Sequence, residues 1–234
     1  YLLQSVYTFD GYIQIEYIKQ AFELLALRYP VIRTTFVDYR SVSIPLQIVL
    51  KDRRVEFIEQ DISDMDSEYQ ELTANKIILE DVKRGFVIDN DSLMRVNCIK
   101  YNDNKYDLVL TAHHIIMDGW STALLFGDLL SYYGQLKQGV LFDKLSEEIL
   151  IENSNSLQYC DYVNWLEHNN LNEALDYWKK LLYKYEESAE IRPMLTPDNS
   201  ESSMDRVCYQ VSEKLTKLLT DAASRYNVTI NTIA

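Results

Sequence analysis

The chain has 234 residues, of which 47% are hydrophobic, and its formal net charge at pH 7 is −13. That size and apolar content suffice for one large domain or two small ones with a buried core. The acidic balance disfavours nucleic acid as a partner, because phosphate binding needs clustered Lys and Arg. No apolar run reaches membrane-spanning length, and residues 1–9 lack the features of a signal peptide. Since the cysteines are few and widely spaced, we expect reduced thiols in a cytoplasmic protein: Cys98, Cys160 and Cys208.

The first half of the chain carries apolar patterns that predict strands separated by helices. Residues 1–9 predict a strand that ends at Asp10-Gly11, and the spacing from Ile15 to Leu25 predicts a helix that ends at Pro30. Beyond it the patterns predict three strands and then a helix, at residues 31–39, 46–50, 55–59 and 64–83. Segments 93–101 and 106–113 then predict a hairpin with a polar turn between them.

The second half of the chain is mainly helical in pattern. Helices are predicted at residues 121–138, 156–168, 172–185 and 214–226, with a strand at 206–211. The stretch 186–203 contains Pro193 and Pro197 among polar residues, and it is the best candidate for a linker or loop. Residues 228–234 have the pattern of a helix that is only beginning, so we expect the chain to be truncated there. The elements together indicate a mixed α and β fold.

His113 and His114 stand next to each other where the second hairpin strand ends. Neighbouring side chains of a strand point to opposite faces, so both histidines cannot face one site while the strand stays regular. His114 continues the face of Leu108, Leu110 and Ala112, whereas His113 lies on the other face with Val109 and Thr111. Paired metal ligands need a spacing that brings both to one side. We therefore expect no metal site here.

The chain turns after His114 and reaches Asp118-Gly119, where glycine permits a positive φ or a close backbone approach. A histidine at such a turn can be partly exposed. Its ordinary pKa of about 6.5 leaves it mostly neutral and able to accept a proton. A neutral imidazole is a natural group to help an amine attack an acyl carbon. The alternative is that both histidines are satisfied residues of the core.

The order His113-His114-x-x-x-Asp118-Gly119 resembles the core motif of condensation domains of nonribosomal peptide synthetases (NRPS), within the chloramphenicol-acetyltransferase-like superfamily. Residues 28–36, RYPVIRTTF, resemble the family's upstream segment RHExLRTxF. Residues 159–165, YCDYVNW, resemble its downstream segment YxDYAxW, and residues 86–95 resemble its lead-in to the histidine strand. The resemblance thus extends over most of the chain.

The resemblance implies an α/β (α+β) fold, a chloramphenicol-acetyltransferase-like lobe in which helices flank a mixed sheet. Residues 1–234 would be the N-terminal lobe of a condensation domain, truncated at both ends and without its C-terminal lobe. The family's active channel lies between two lobes, so this chain would supply the catalytic histidine and one wall. We expect the isolated fragment to be inactive.

The resemblance also implies roles for individual residues. His114 corresponds to the catalytic histidine, either as a general base or as the residue that positions the attacking amine. Asp118 would be a structural brace, and a buried carboxylate of this kind would be held by Arg33. Gly119 would leave room for the substrate arm, and Trp120 would pack at the channel wall.

The remaining aromatic and histidine residues receive structural roles. His113 would pack or orient, because it faces away from His114. The aromatic residues of the segment 159–165 have the spacing of a buried helix face, so we expect them in the core.

The reaction implied by the resemblance is amide formation, an acyl transfer from an acyl or peptidyl thioester to the amine of an aminoacyl thioester. Both substrates would be carried on the phosphopantetheine of carrier proteins, and no cofactor would bind the domain directly. The partners would be acyl or peptidyl carrier proteins, neighbouring synthetase domains and the missing C-terminal lobe, with neither nucleic acid nor membrane involved.

Related interpretations remain open. Epimerisation domains usually continue Asp-Gly-Val-Ser-Trp, whereas this chain has Asp118-Gly119-Trp120-Ser121, and heterocyclising members have aspartate in place of His113. A coenzyme A-dependent acyltransferase of the same superfamily, or an inactive module that only docks carrier proteins, would fit the motif as well.

Overall fold

The computed structural model describes residues 1–37, 45–185 and 208–233. The chain divides into two compact units, Tyr1–Asn170 and Leu171–Ala234. The linker predicted at 186–203 lies outside the described residues.

The first unit contains a four-stranded mixed sheet in the order β1-β6-β5-β4. Strand β1 pairs antiparallel with β6, β6 pairs antiparallel with β5, and β5 pairs parallel with β4. The predicted hairpin is therefore confirmed, with a bulge between Lys100 and Asn102. The bounds of these strands are Leu2–Asp10 for β1, Glu56–Asp61 for β4, Met94–Asn102 for β5 and Lys105–His113 for β6.

A separate two-stranded antiparallel sheet pairs β2 (Thr34–Val37) with β3 (Leu46–Val49). The strand predicted at 31–39 was wrong in its first part, because a 3₁₀ helix spans Pro30–Arg33. Proline stands at the start of that turn, where its fixed φ favours helical geometry and its missing N–H costs nothing. Residues 38 and 39 lie outside the described part of the chain.

Five α-helices complete the described part of the first unit. Helix α1 packs against both α3 and α4. Helix α4 was not predicted as a separate element, since only Leu145 and Ile149 are buried on it and its apolar signal is weak. The bounds are Ile15–Arg28 for α1, Ser67–Arg84 for α2, Gly119–Lys137 for α3, Phe142–Ser154 for α4 and Tyr159–His168 for α5.

The two faces of β6 enter different parts of the core, as its alternating pattern predicts. Leu108, Leu110 and Ala112 join the large cluster that contains buried residues of α1, α3 and α4. Val109 belongs to a smaller cluster with Ile62, Ile99 and Ala74, and the last of these lies on α2. Helix α2 thus covers the opposite face of the sheet.

A buried ion pair joins α2 to the sheet. Arg95 on β5 has no exposed surface, and its Nε donates to Asp81 Oδ1 at 2.7 Å. The same guanidinium donates to the carbonyls of Asp81 and Gly85, each at 2.9 Å, where α2 ends. Its central carbon lies 4.3 Å from the centre of the Phe86 ring. One side chain therefore satisfies a buried carboxylate and two carbonyl groups.

The pKa of Asp81 reflects this environment. Burial acts to raise the pKa, but hydrogen bonds from Thr111 and Arg95 outweigh burial and hold the pKa below its ordinary value. The ionised Asp81 carboxylate therefore contributes fully to the free energy of unfolding above its unfolded pKa of about 4. That contribution is lost as the pH falls through its folded pKa.

The second unit contains three described helices: α6 (Asn172–Leu181), α7 (Glu213–Tyr226) and α8 (Ile230–Ile233). The helix predicted at 214–226 is confirmed, and its N-terminus is capped by the Ser212 side chain, which accepts from the Leu215 N–H at 3.4 Å. The strand predicted at 206–211 was wrong for residues 208–211, which form no strand, while 206 and 207 lie outside the described residues. No helix in the described ranges is long and apolar enough to cross a membrane.

The ion pair gives a stability prediction. Arg95→Met should reduce the free energy of unfolding by about 3–5 kcal/mol, because it leaves the Asp81 charge buried without its cation. Adding Asp81→Leu should recover much of that loss, since no uncompensated charge then remains. Urea unfolding of both variants checks this. Arg84→Met, which breaks an exposed pair with Glu56, is the control and should cost no more than about 1 kcal/mol.

Candidate active site

The turn at residues 113–118, which we call the histidine turn, begins where β6 ends. The His113 N–H donates to the Leu93 carbonyl at 2.9 Å, and the His114 N–H donates to the Tyr1 carbonyl at 3.0 Å. The Ile116 N–H donates to the His113 carbonyl at 3.1 Å, and this hydrogen bond closes the turn. The backbone around both histidines is therefore held by the sheet on either side.

The histidine turn contains a pair of exposed residues followed by a pair of buried ones. His114 and Ile115 are exposed. Ile116 and Met117 follow them into the large core cluster and are nearly buried. The two apolar side chains anchor the turn, and the imidazole of His114 is left exposed to solvent.

His113 occupies a different environment. It is partly buried, and its Nδ1 atom accepts a hydrogen bond from the Ile115 N–H at 3.1 Å. Its ring meets the Phe86 ring edge to face, with 6.4 Å between the ring centres. Burial lowers the pKa of His113, so its ring is neutral at pH 7.

Asp118 is the N-cap of α3. Its Oδ1 accepts from the Ser121 N–H at 2.8 Å and from the Ser121 hydroxyl at 2.7 Å. These hydrogen bonds lower the pKa of Asp118 and satisfy a donor that a helix N-terminus otherwise leaves free.

The predicted pairing of Asp118 with Arg33 is wrong. Arg33 Nε donates to the Ala26 carbonyl at 2.7 Å, and Arg33 Nη1 donates to the Leu50 carbonyl at 2.5 Å. Among the ion pairs of the described residues, none joins Arg33 to Asp118. Because Asp118 is exposed and locally capped, its charge has no need of a buried cation.

The two residues after Asp118 are open to solvent in the first unit. Gly119 has no positive φ, and a Cβ atom added to it would meet nothing within 4 Å. Of the two possibilities that a glycine permits here, the positive φ is not used, since Gly119 is already the first residue of α3. Trp120 is 86% exposed, so it packs on no core of this unit.

The aromatic residues of α5 are also exposed, which corrects the expectation that they lie in the core. Tyr162 and Trp165 stack on each other with 5.8 Å between ring centres, and no residue of α5 is buried. The helical spacing correctly indicated that these rings share a face. Spacing alone could not tell whether that face is covered.

A cavity of about 1070 Å³ lies between the end of α1, the 3₁₀ helix, the β2–β3 pair and the junction of α4 with α5. Arg33, Tyr159 and Cys160 line it, whereas no residue from His113 to Trp120 does. The cavity and the histidine turn are thus different features.

Cysteine and metal chemistry have little support at this site. Burial raises the pKa of Cys98 to about 12, so this thiol is a poor nucleophile. Within the described part of the chain, no group of three His, Cys, Asp or Glu side chains is placed to hold a metal ion.

The family model described as "Condensation domain" matches residues 1–234, and the chain belongs to this family. The chain is 31% identical over 235 aligned positions to bacitracin synthase 3 of Bacillus licheniformis, and 30% identical over 235 to gramicidin S synthase 2 of Brevibacillus brevis. Each alignment covers 100% of this chain, but only 4% and 5% of those relatives.

Solved structures agree on the fold. The SgcC5 protein from Streptomyces globisporus matches with a TM-score of 0.68 at 17% identity, and VibH, an NRPS condensation enzyme, matches with a TM-score of 0.66 at 16% identity. Both matches cover 98% of this chain and 50% of the solved chain. The chloramphenicol-acetyltransferase-like fold expected from the motifs is therefore confirmed.

The capping role of Asp118 is testable by thermal unfolding. Asp118→Ala should lower the melting temperature by about 2–4 °C, because the Ser121 N–H loses its acceptor. Asp118→Ser should keep most of the stability, since its hydroxyl oxygen can cap the helix in the same way. The difference between wild type and Asp118→Ala should shrink on acidification, because the lowered pKa means that the cap is lost as Asp118 is protonated. An unchanged melting temperature combined with lost activity would assign Asp118 a direct chemical role instead.

Proposed function

We propose that this chain supplies the catalytic histidine of an amide-forming condensation reaction in nonribosomal peptide synthesis. The observation that carries the proposal is the exposed imidazole of His114, held in the anchored histidine turn of a condensation-family chain. The donor would be an acyl or peptidyl thioester and the acceptor an aminoacyl thioester, each on the phosphopantetheine of a carrier protein.

The reaction needs one proton to be moved. The acceptor amine attacks the thioester carbonyl carbon, so a C–N bond forms and the C–S bond breaks. His114 would accept the proton that the amine loses, or hold the amine in line for attack, and the proton would finally reach the departing thiolate. Tethering both substrates supplies much of the rate, because attack then occurs within one assembly.

The chain would act as one lobe of a two-lobed domain. Support comes from the solved chains, which are about twice as long as the part that this chain matches. The second lobe would provide the facing wall of the channel, and Gly119 and Trp120 are open to receive it or the substrate arm. Carrier proteins and neighbouring synthetase domains would be the partners, and no cofactor would bind the lobe itself.

The role of His114 is tested by substitution in the complete synthetase. His114→Ala should reduce condensation by at least about 100-fold, the usual contribution of a general acid or base. His114→Gln separates the two roles, because an amide can hold an amine by hydrogen bonding but cannot take its proton at neutral pH. A loss with Gln as large as with Ala supports proton transfer, whereas substantial retained turnover supports amine positioning.

Folding must be shown to survive these changes. Circular dichroism and melting temperature should match the wild type, since His114 is exposed and its backbone hydrogen bond does not need the side chain. His168→Ala, at an exposed histidine on α5, is the matched control and should leave turnover unchanged. Wild-type turnover by His114→Ala would contradict the catalytic role of His114.

The lobe proposal has its own test. The 234-residue chain alone should show no condensation turnover with carrier-bound substrates, and activity should appear when the rest of the domain is present in the same protein. Turnover by the chain alone would contradict the two-lobe requirement. Carrier binding without turnover, even in the complete domain, would instead favour a module that only docks carrier proteins.

A further inference from the structure

The ring of His113 is fixed by contacts within the turn and beneath it. Its Nδ1 atom accepts the Ile115 N–H, and Ile115 directly follows His114. This hydrogen bond spans the residue that carries the exposed imidazole. The protonation state of one histidine is therefore coupled to the backbone shape that presents the other.

A chain of contacts leads from α2 to His113. Asp81 holds Arg95, the guanidinium of Arg95 lies over the face of Phe86, and the Phe86 and His113 rings meet edge to face. Arg95 is fully buried, so this frame has little freedom to move. The Phe86 ring limits the positions that the His113 ring can take.

We propose that His113 is a positioning residue for His114, and that it holds the histidine turn only as a neutral ring with an unprotonated Nδ1 atom. The inference rests on the proposed function of His114. A proton on Nδ1 would convert the acceptor to a donor and set it against the Ile115 N–H, so the turn would have to change shape. Displacing His114 by about 1 Å can cost about 100-fold in rate.

The charged groups near His113 favour its neutral form. Burial lowers the pKa of His113, and a positive charge on the neighbouring His114 would act in the same direction. The charge of Arg95 on β5, beyond Phe86, is balanced by Asp81 on α2. The folded pKa thus lies below the ordinary value of about 6.5. The neutral His113 ring contributes fully to the stability of the histidine turn above that value, and this contribution is lost as the pH falls through the folded pKa.

Two substitutions of His113 separate the effect of its hydrogen-bond acceptor from the effect of its side-chain volume. His113→Asn can place an amide oxygen near the Nδ1 position, whereas His113→Leu keeps an apolar side chain without an acceptor. In the complete synthetase, His113→Asn should stay within about threefold of wild-type kcat and His113→Leu should lose about 100-fold. Both should melt at similar temperatures. The acid limb of the pH profile should be less steep for His113→Asn, because one titrating group is gone.

The outcomes decide the proposal. His168→Leu, at the exposed histidine of α5, is the control and should match wild type in rate and in pH profile. Equal turnover of the Asn and Leu variants, whether both high or both low with folding intact, would overturn the positioning role.

A measurement that needs no variant covers the case in which the substitutions prevent folding. Nitrogen-15 NMR of the imidazoles in the 234-residue chain should show His113 as the tautomer protonated on Nε2 at neutral pH. A proton on Nδ1 would overturn the proposal. Because the tautomer is observed without turnover, this failure is distinguishable from retained turnover by His114→Ala, which contradicts the proposed function itself.

Discussion

The end of the sheet that carries the histidine turn depends on the buried ion pair between Arg95 and Asp81. A carboxylate and a guanidinium removed from water are tolerated because they are hydrogen-bonded to each other, and the guanidinium also donates to two carbonyl groups at the end of α2. The pair fixes α2 against β5 and holds Phe86 under its guanidinium. Phe86 in turn packs against His113, the residue at which β6 ends and the histidine turn begins.

The histidine turn combines a firmly held backbone with an exposed imidazole. Sheet hydrogen bonds hold its start, buried Ile116 and Met117 hold its middle, and the Asp118 cap of α3 holds its end. Three anchors of different chemistry act on six consecutive residues, 113–118. The backbone of His114 is thus held by its neighbours, while its ring stays exposed to solvent.

The residues of the family motif therefore do different kinds of work. Asp118 acts on the local helix, and Arg33 binds carbonyl groups at the edge of a cavity that the histidine turn does not line. Gly119 and Trp120 contribute open surface. Family membership narrows the reaction class, whereas the geometry assigns each motif residue a separate physical role. The chain covers half of each solved chain that it resembles. The second lobe that would face Gly119 and Trp120 is therefore proposed.

The sequence by itself determined the elements whose signals are local. The alternation along β6 correctly placed Leu108 and Val109 on opposite faces, and the helical spacing found α1 and α7. The motif located the turn and the exposed histidine. Tertiary structure alone decided which charges meet, because Arg95 lies on a strand and Asp81 on a helix, and no sequence periodicity relates the two. It also revealed α4, whose short apolar stripe is too weak to predict a helix. It also decided that Arg33 and Asp118 stay apart and that the aromatic face of α5 is uncovered. Periodicity reports which side chains share a face, but only the packing of distant segments decides what that face meets.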